Sequence, residues 1–151
     1  MAERKRILLV EDNANDLELA MAAFEENGVG NEVVTVRDGT EALDYLHRRG
    51  AHAGRAAGLP CVIVLDIKMP KLGGLEVLRA IRSDEELKIL PVVMLSSSRE
   101  QGDLVRSYQL GVNAYVVKPV DFGQFSTAVQ QLGQFWGGVN EPPPVAPGHQ
   151  A

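Results

Sequence analysis

Cys61-Val62-Ile63-Val64-Leu65-Asp66 is a run of apolar residues cut off by a carboxylate. A strand with one wet face alternates apolar and polar residues. An unbroken run means burial on both faces, as in a parallel sheet covered by helices above and below. Its neighbours repeat the pattern. Ile7-Leu8-Leu9-Val10 stops at Glu11-Asp12, Pro91-Val92-Val93-Met94-Leu95 at Ser96, and Ala114 to Val117 at Lys118-Pro119, where an X-Pro bond also permits the cis form. Glu32 to Val36 reads as a further strand.

Between the strands apolar residues recur at helical spacing. Leu17, Met21 and Phe24 mark a first helix that Gly28 closes, with Asn15 and Glu18 as its capping box. Glu41 to Leu46 is a short second helix, and Leu75, Leu78 and Ile81 mark a third. Leu104, Val105 and Tyr108 give a weak fourth, ended by Gly111. Phe122, Phe125, Val129, Leu132 and Trp136 share one face of the last. Five β–α units in series predict an α/β, doubly wound parallel sheet whose ligands sit at the carboxyl ends of the strands.

The remaining composition sets limits. A chain of 151 residues leaves room for one domain with a real core and little beside it. A net charge of −5 argues against broad binding to a nucleic-acid backbone. Lone Cys61 can form neither an internal disulfide nor a cysteine-rich zinc site, which fits a reducing, cytoplasmic setting. No apolar run is long enough to span a membrane, and the start of the chain has no signal-peptide pattern. Arg48 to Leu59 reads as a long loop without an element of its own. From Gly137 the chain turns Gly- and Pro-rich, with Pro142-Pro143-Pro144, and is expected to leave the helix as an extended arm.

Chemistry concentrates where the strands end. Glu11, Asp12, Asp66, Ser96 and Lys118 would meet along one sheet edge. An acid after a strand is usually a turn residue, so each alone carries little. All of them on one edge carry more. Three carboxylates in one crevice need neutralising, which a divalent cation and one lysine can do. Mg2+, with its preference for hard oxygen ligands, suits the site best. A carboxylate nucleophile, a metal site, a hydroxyl and a lysine are the equipment for phosphoryl transfer onto an aspartate.

The motifs ILLVEDN, VLDIKMP, PVVMLSSS and YVVKP together resemble the receiver domain of two-component response regulators, over roughly residues 5–136. That resemblance implies a flavodoxin-like fold with strand order 2-1-3-4-5. It implies Asp66 as phosphoacceptor for a partner histidine kinase, with autophosphatase activity rather than a dedicated enzyme's turnover. Asp12 would bind Mg2+ directly, Glu11 through water and Lys68 through its backbone carbonyl, with Asp66 also in the metal set. Ser96 and Lys118 would hold the phosphoryl oxygens, and Tyr115 stands at the family's aromatic switch position. Gly73-Gly74 replaces a commoner Asp-Gly. Lys68 could alter the phosphoryl lifetime with its side chain, against the plainer reading of a solvated lysine.

The long loop, Gln134-Phe135-Trp136 and the tail from Asn140 to Pro144 resemble the single-domain regulators of bacterial phytochromes. There the partner is a light-sensing histidine kinase, and some members are homodimers joined by a C-terminal arm. The expected domain is thus residues 5–136 with an arm at 137–151, anchored by Phe135 and Trp136. With no output domain expected, signalling would pass by protein contacts or phosphorelay. The alternatives are a Mg2+-dependent phosphohydrolase using Asp66, a flavin electron carrier disfavoured by Glu11 and Asp12 where phosphate would sit, and a scaffold with vestigial phosphorylation.

Overall fold

The computed structural model describes residues 6–27 and 32–144; Gly28, expected to close the first helix, lies outside them. In chain order the elements are β1 (Arg6–Val10), α1 (Ala14–Asn27), β2 (Glu32–Val36), α2 (Gly39–His47), β3 (Val62–Leu65), α3 (Gly74–Ser83), β4 (Val92–Ser96), α4 (Gln101–Gln109), β5 (Ala114–Val117) and α5 (Phe122–Gln134). The strands form one parallel sheet in the order β2-β1-β3-β4-β5.

Successive strand residues point to opposite faces, so each apolar run feeds two cores. Leu8, Val10, Ile63, Leu65, Val92 and Met94 pack with α2 and α3 through Ala42, Tyr45, Leu46, Val77, Leu78 and Ile81. Ile7, Leu9, Val62, Val64, Val93 and Leu95 face α1 and α5, meeting Ala20, Ala23, Phe24, Phe125, Val129 and Leu132. That two-sided burial is why the runs lack polar residues. Register then sets the site. Val10 pairs with Leu65, so the next residues, Glu11 and Asp66, leave the sheet side by side. Ser96 pairs with Val117, which puts Lys118 one residue beyond the hydroxyl.

Several local expectations are corrected. The first helix is capped by Asn13, not Asn15: Asn13 Oδ1 accepts the Asp16 N–H at 3.0 Å, leaving Asn15 two residues too late, already within the helix. In α4, Val105 and Tyr108 are about half exposed, at 48% and 54%, and Ser107 takes the buried seat. Its hydroxyl donates to the Asp103 carbonyl, which lets a polar residue occupy that place. Phe122 is exposed because α5 only begins there, with Asp121 as N-cap accepting from Gln124 N–H. Gly137 does not end the helix. A π-helical turn, Phe135–Val139, carries it on, and Asn140 N–H closes it on the Phe135 carbonyl at 2.6 Å. Gly137 is buried in that turn. The loop from Arg48 to Leu59 contains a short 3-10 turn, Gly50–His52, and Arg55 stacks 4.1 Å above the Tyr45 ring. The Lys118–Pro119 bond is trans. No helix among the described residues is long and apolar enough to cross a membrane.

Candidate functional site

The carboxyl ends of β1, β3, β4 and β5 bring Glu11, Asp12, Asp66, Ser96 and Lys118 into one crevice. Glu11, Asp66, Ser96 and Lys118 are buried, and Asp12 is half-buried. Polar groups so deep inside must be paired. The Lys118 ammonium is bonded to Glu11 Oε1 at 2.7 Å, Asp66 Oδ2 at 3.0 Å and Asp16 Oδ2 at 3.0 Å. Its backbone N–H donates to the Ser96 carbonyl at 2.8 Å, which ties β5's end to β4's.

Asp66 is further held from its own loop, where the Lys68 N–H donates to Oδ1 at 3.3 Å; the Lys68 side chain is exposed. Glu11 Oε2 accepts from Asn13 N–H at 3.2 Å. Burial pushes the Glu11 carboxyl above the usual carboxylate range, against the pull of Lys118. Burial would lower Lys118, but Glu11, Asp66 and Asp16 outweigh it and hold the amine well above its ordinary range. The lysine is therefore a fixed positive charge.

Glu11, Asp12 and Asp66 each offer an oxygen within 4.8 Å of the others. Hard carboxylate oxygens at that spacing fit a divalent metal. Three carboxylates hold the ammonium, because Asp16 joins Glu11 and Asp66, while Asp12 clusters with the latter two. Asp16 was missed because it lies inside α1 rather than at a strand end. The available signal was its place in the first helical turn, one turn beyond Glu11-Asp12-Asn13.

Ser96 Oγ accepts the Ser98 N–H at 3.2 Å, and the Tyr115 hydroxyl donates to the Ser98 carbonyl at 3.0 Å. Ser98 therefore touches both. Its own hydroxyl donates to Asp103 Oδ2 at 2.6 Å, in the first turn of α4. Tyr115 is half-buried against the α2–α3 core. Phe135 and Trp136 lie far along α5's continuation, edge to face at 5.0 Å. Trp136 packs on its own chain's core, while Phe135 is 47% exposed.

Comparison with known proteins places this arrangement. Residues 7–130 match the family described as the response regulator receiver domain. The structure of the phosphorylated cyanobacterial phytochrome response regulator RcpA superposes with a TM-score of 0.87 at 42% identity, covering 94% of this chain and all of that one. The bacteriophytochrome response regulator RtBRR is 57% identical, with a TM-score of 0.75 over 94% of this chain and 86% of its own. Response regulator Rcp1 of Synechocystis is 35% identical over 132 residues, 87% of this chain and 88% of Rcp1. Its Mn2+-bound structure superposes at 0.86, covering 93% and 99% of the two chains. With the family model covering most of its length, the chain belongs to the response regulator receiver family.

Proposed function

We propose that this receiver takes a phosphoryl group on Asp66 from the phosphohistidine of a phytochrome-type sensor kinase, with Mg2+ as cofactor. One observation carries the reading. Asp66 lies buried at the crevice's centre, 3.0 Å from the Lys118 ammonium and within 4.8 Å of two further carboxylates. Asp12, Asp66, the Lys68 carbonyl and, through water, Glu11 would hold Mg2+, which when bound offsets the negative charge of the incoming phosphoryl group.

In the transfer, an Asp66 oxygen forms a bond to phosphorus as the phosphorus–nitrogen bond breaks. The leaving imidazole nitrogen keeps the electron pair and takes a proton. Lys118 donates to a phosphoryl oxygen, and the Ser96 hydroxyl does so from the other side. Loss of the group follows when water attacks phosphorus, the acyl oxygen–phosphorus bond breaks and Asp66 returns as a carboxylate.

Turning Ser96 toward the phosphoryl group removes its bond to Ser98 N–H. That loosens the segment on which Tyr115 and Asp103 also rest, and Tyr115 rotates further inward. The surface of α4, β5 and α5 changes as a result, biasing contacts with the next protein or a relay partner. The names of RcpA and RtBRR support a phytochrome partner. Exposed Phe135, beside Trp136 and followed by the arm, supports a homodimer.

Incubation with Mg2+ and acetyl phosphate, followed by intact mass spectrometry, tests the core of this. Wild type should gain one phosphoryl adduct and Asp66→Asn none. An unmodified wild type, or an adduct that survives the substitution, overturns it.

A further inference from the structure

The third bond of Lys118 has a consequence for how the crevice is switched. An ammonium has three donors, and here Glu11, Asp66 and Asp16 take all three. A phosphoryl oxygen can gain a Lys118 donor only if one of these bonds opens. The Glu11 side chain is 4% exposed, so stripping its partner would leave a buried unpaired carboxylate. Asp66 frees its donor only once it has become the acyl phosphate, after the incoming phosphoryl oxygens already need one. The Asp16 side chain is 32% exposed, the most open of the three, and can exchange its lysine for water.

We infer that Asp16 is the exchangeable partner of Lys118, a positioning residue that occupies in the resting state the donor a phosphoryl oxygen later takes. The inference rests on the Asp66 reading above. Its placement follows from the turn between β1 and α1. Asn13 caps the helix through the Asp16 N–H and gives its own N–H to Glu11, so two of the three acids that hold the lysine hang from one turn. Asp16 is not grouped with the three carboxylates that cluster for a metal, so its action is through the lysine.

Asp16→Asn keeps the shape, removes the charge and weakens the resting bond. With acetyl phosphate at saturating Mg2+, it should speed adduct formation about threefold to fivefold, the scale of one partly exposed ion pair. Asp16→Glu, which keeps the charge, should return the rate toward wild type. In a Lys118→Ala background, Asp16→Asn should change nothing. Nitrogen-15 NMR of the lysine ammonium, without any phosphodonor, should show faster proton exchange at Lys118 in Asp16→Asn.

Unchanged rate and unchanged exchange overturn the inference. So does an acceleration that persists without Lys118, which would mean plain charge repulsion. A severalfold loss of Mg2+ affinity in calorimetry overturns it too, by placing Asp16 on the metal side. Failure of the Asp66 reading looks different: no adduct forms in any variant, while the ammonium exchange still answers for the ion pair.

Discussion

Gly74, at the start of α3, decides where Asp66 stands. A β-carbon there would collide with the Asp66 carbonyl oxygen and lie 2.9 Å from both that carbonyl's carbon and the Ile67 Cα. All three are backbone atoms, so no side-chain rotation relieves the contact. The Gly74 N–H also donates to the Ile67 carbonyl at 2.8 Å, locking the helix start against the turn after β3. Alanine normally favours a helix over glycine by about 1 kcal/mol, but here the collision outweighs that gain. Gly74→Ala should therefore lose about 1–3 kcal/mol in urea unfolding, with the midpoint lowered and the slope unchanged. It should also slow adduct formation, because the displaced segment carries the nucleophile. Gly73, whose added carbon would meet the Ile67 carbonyl at 3.0 Å and Glu76 Oε1 at an ordinary 3.7 Å, should tolerate alanine better. Position 73 is thus the milder of the two.

Among the elements, α3 packs on the sheet through Val77, Leu78 and Ile81, and one side chain at its last turn adds hydrogen bonds to the approaches of β4 and β5. Arg82 donates from Nε to the Gly111 carbonyl at 2.9 Å and from Nη1 to the Leu90 and Lys88 carbonyls at 2.7 and 3.0 Å. Nη2 reaches Asn113 Oδ1 at 2.9 Å, and that same oxygen accepts the Val92 N–H. The helix, the approach to β4 and the turn before β5 all meet on one guanidinium. Arg82→Ala should lose about 2–3 kcal/mol, since charged hydrogen bonds vanish and carbonyls lose their donor. Lysine should not restore it, lacking the planar fork; equal urea midpoints for wild type and Arg82→Lys would contradict this.

Arg82 also marks the boundary of what the chain shows before it folds. The strands were legible because two-sided burial writes itself as unbroken apolar runs, and the crevice followed from their ends. The helix details were not. Asn13 and Asn15 are chemically alike, and only the turn's path decides which one caps. Val105 and Tyr108 kept helical spacing while facing solvent, because Ser107 could satisfy its hydroxyl within α4. Asp16 and Arg82 act on partners far away in sequence, joined to them only by topology.

Over the whole molecule, the crevice and residues 142–144 lie at opposite ends of the sheet's strands. Pro142, Pro143 and Pro144 line a cavity of about 540 Å³ with Arg6, Tyr45, Arg55 and Ile89, where β1, β3 and β4 begin. Arg6 and Arg55 give guanidinium donors there to the Gly58 carbonyl and neighbouring backbone, so the walls are held by hydrogen bonds that do not involve the tail. A segment that lies over such a wall in its own chain can make the same contacts on a second copy, as exchanged elements do, and concentration then decides between them. The proposed dimer should accordingly have twice the 16.4 kDa mass in light scattering and fall toward a single chain on dilution. Cutting at 136, the boundary expected from sequence, would remove the buried Gly137 and the turn that Asn140 closes on Phe135. Ending the chain at 140 spares both and removes only the tail. That shortened protein should be monomeric at concentrations where the full chain is dimeric, with the same urea midpoint measured on monomers. A dimer that persists without residues 141–151 would move the interface to Phe135 and its surroundings, and a full chain that is monomeric at all concentrations would remove the arm's role altogether.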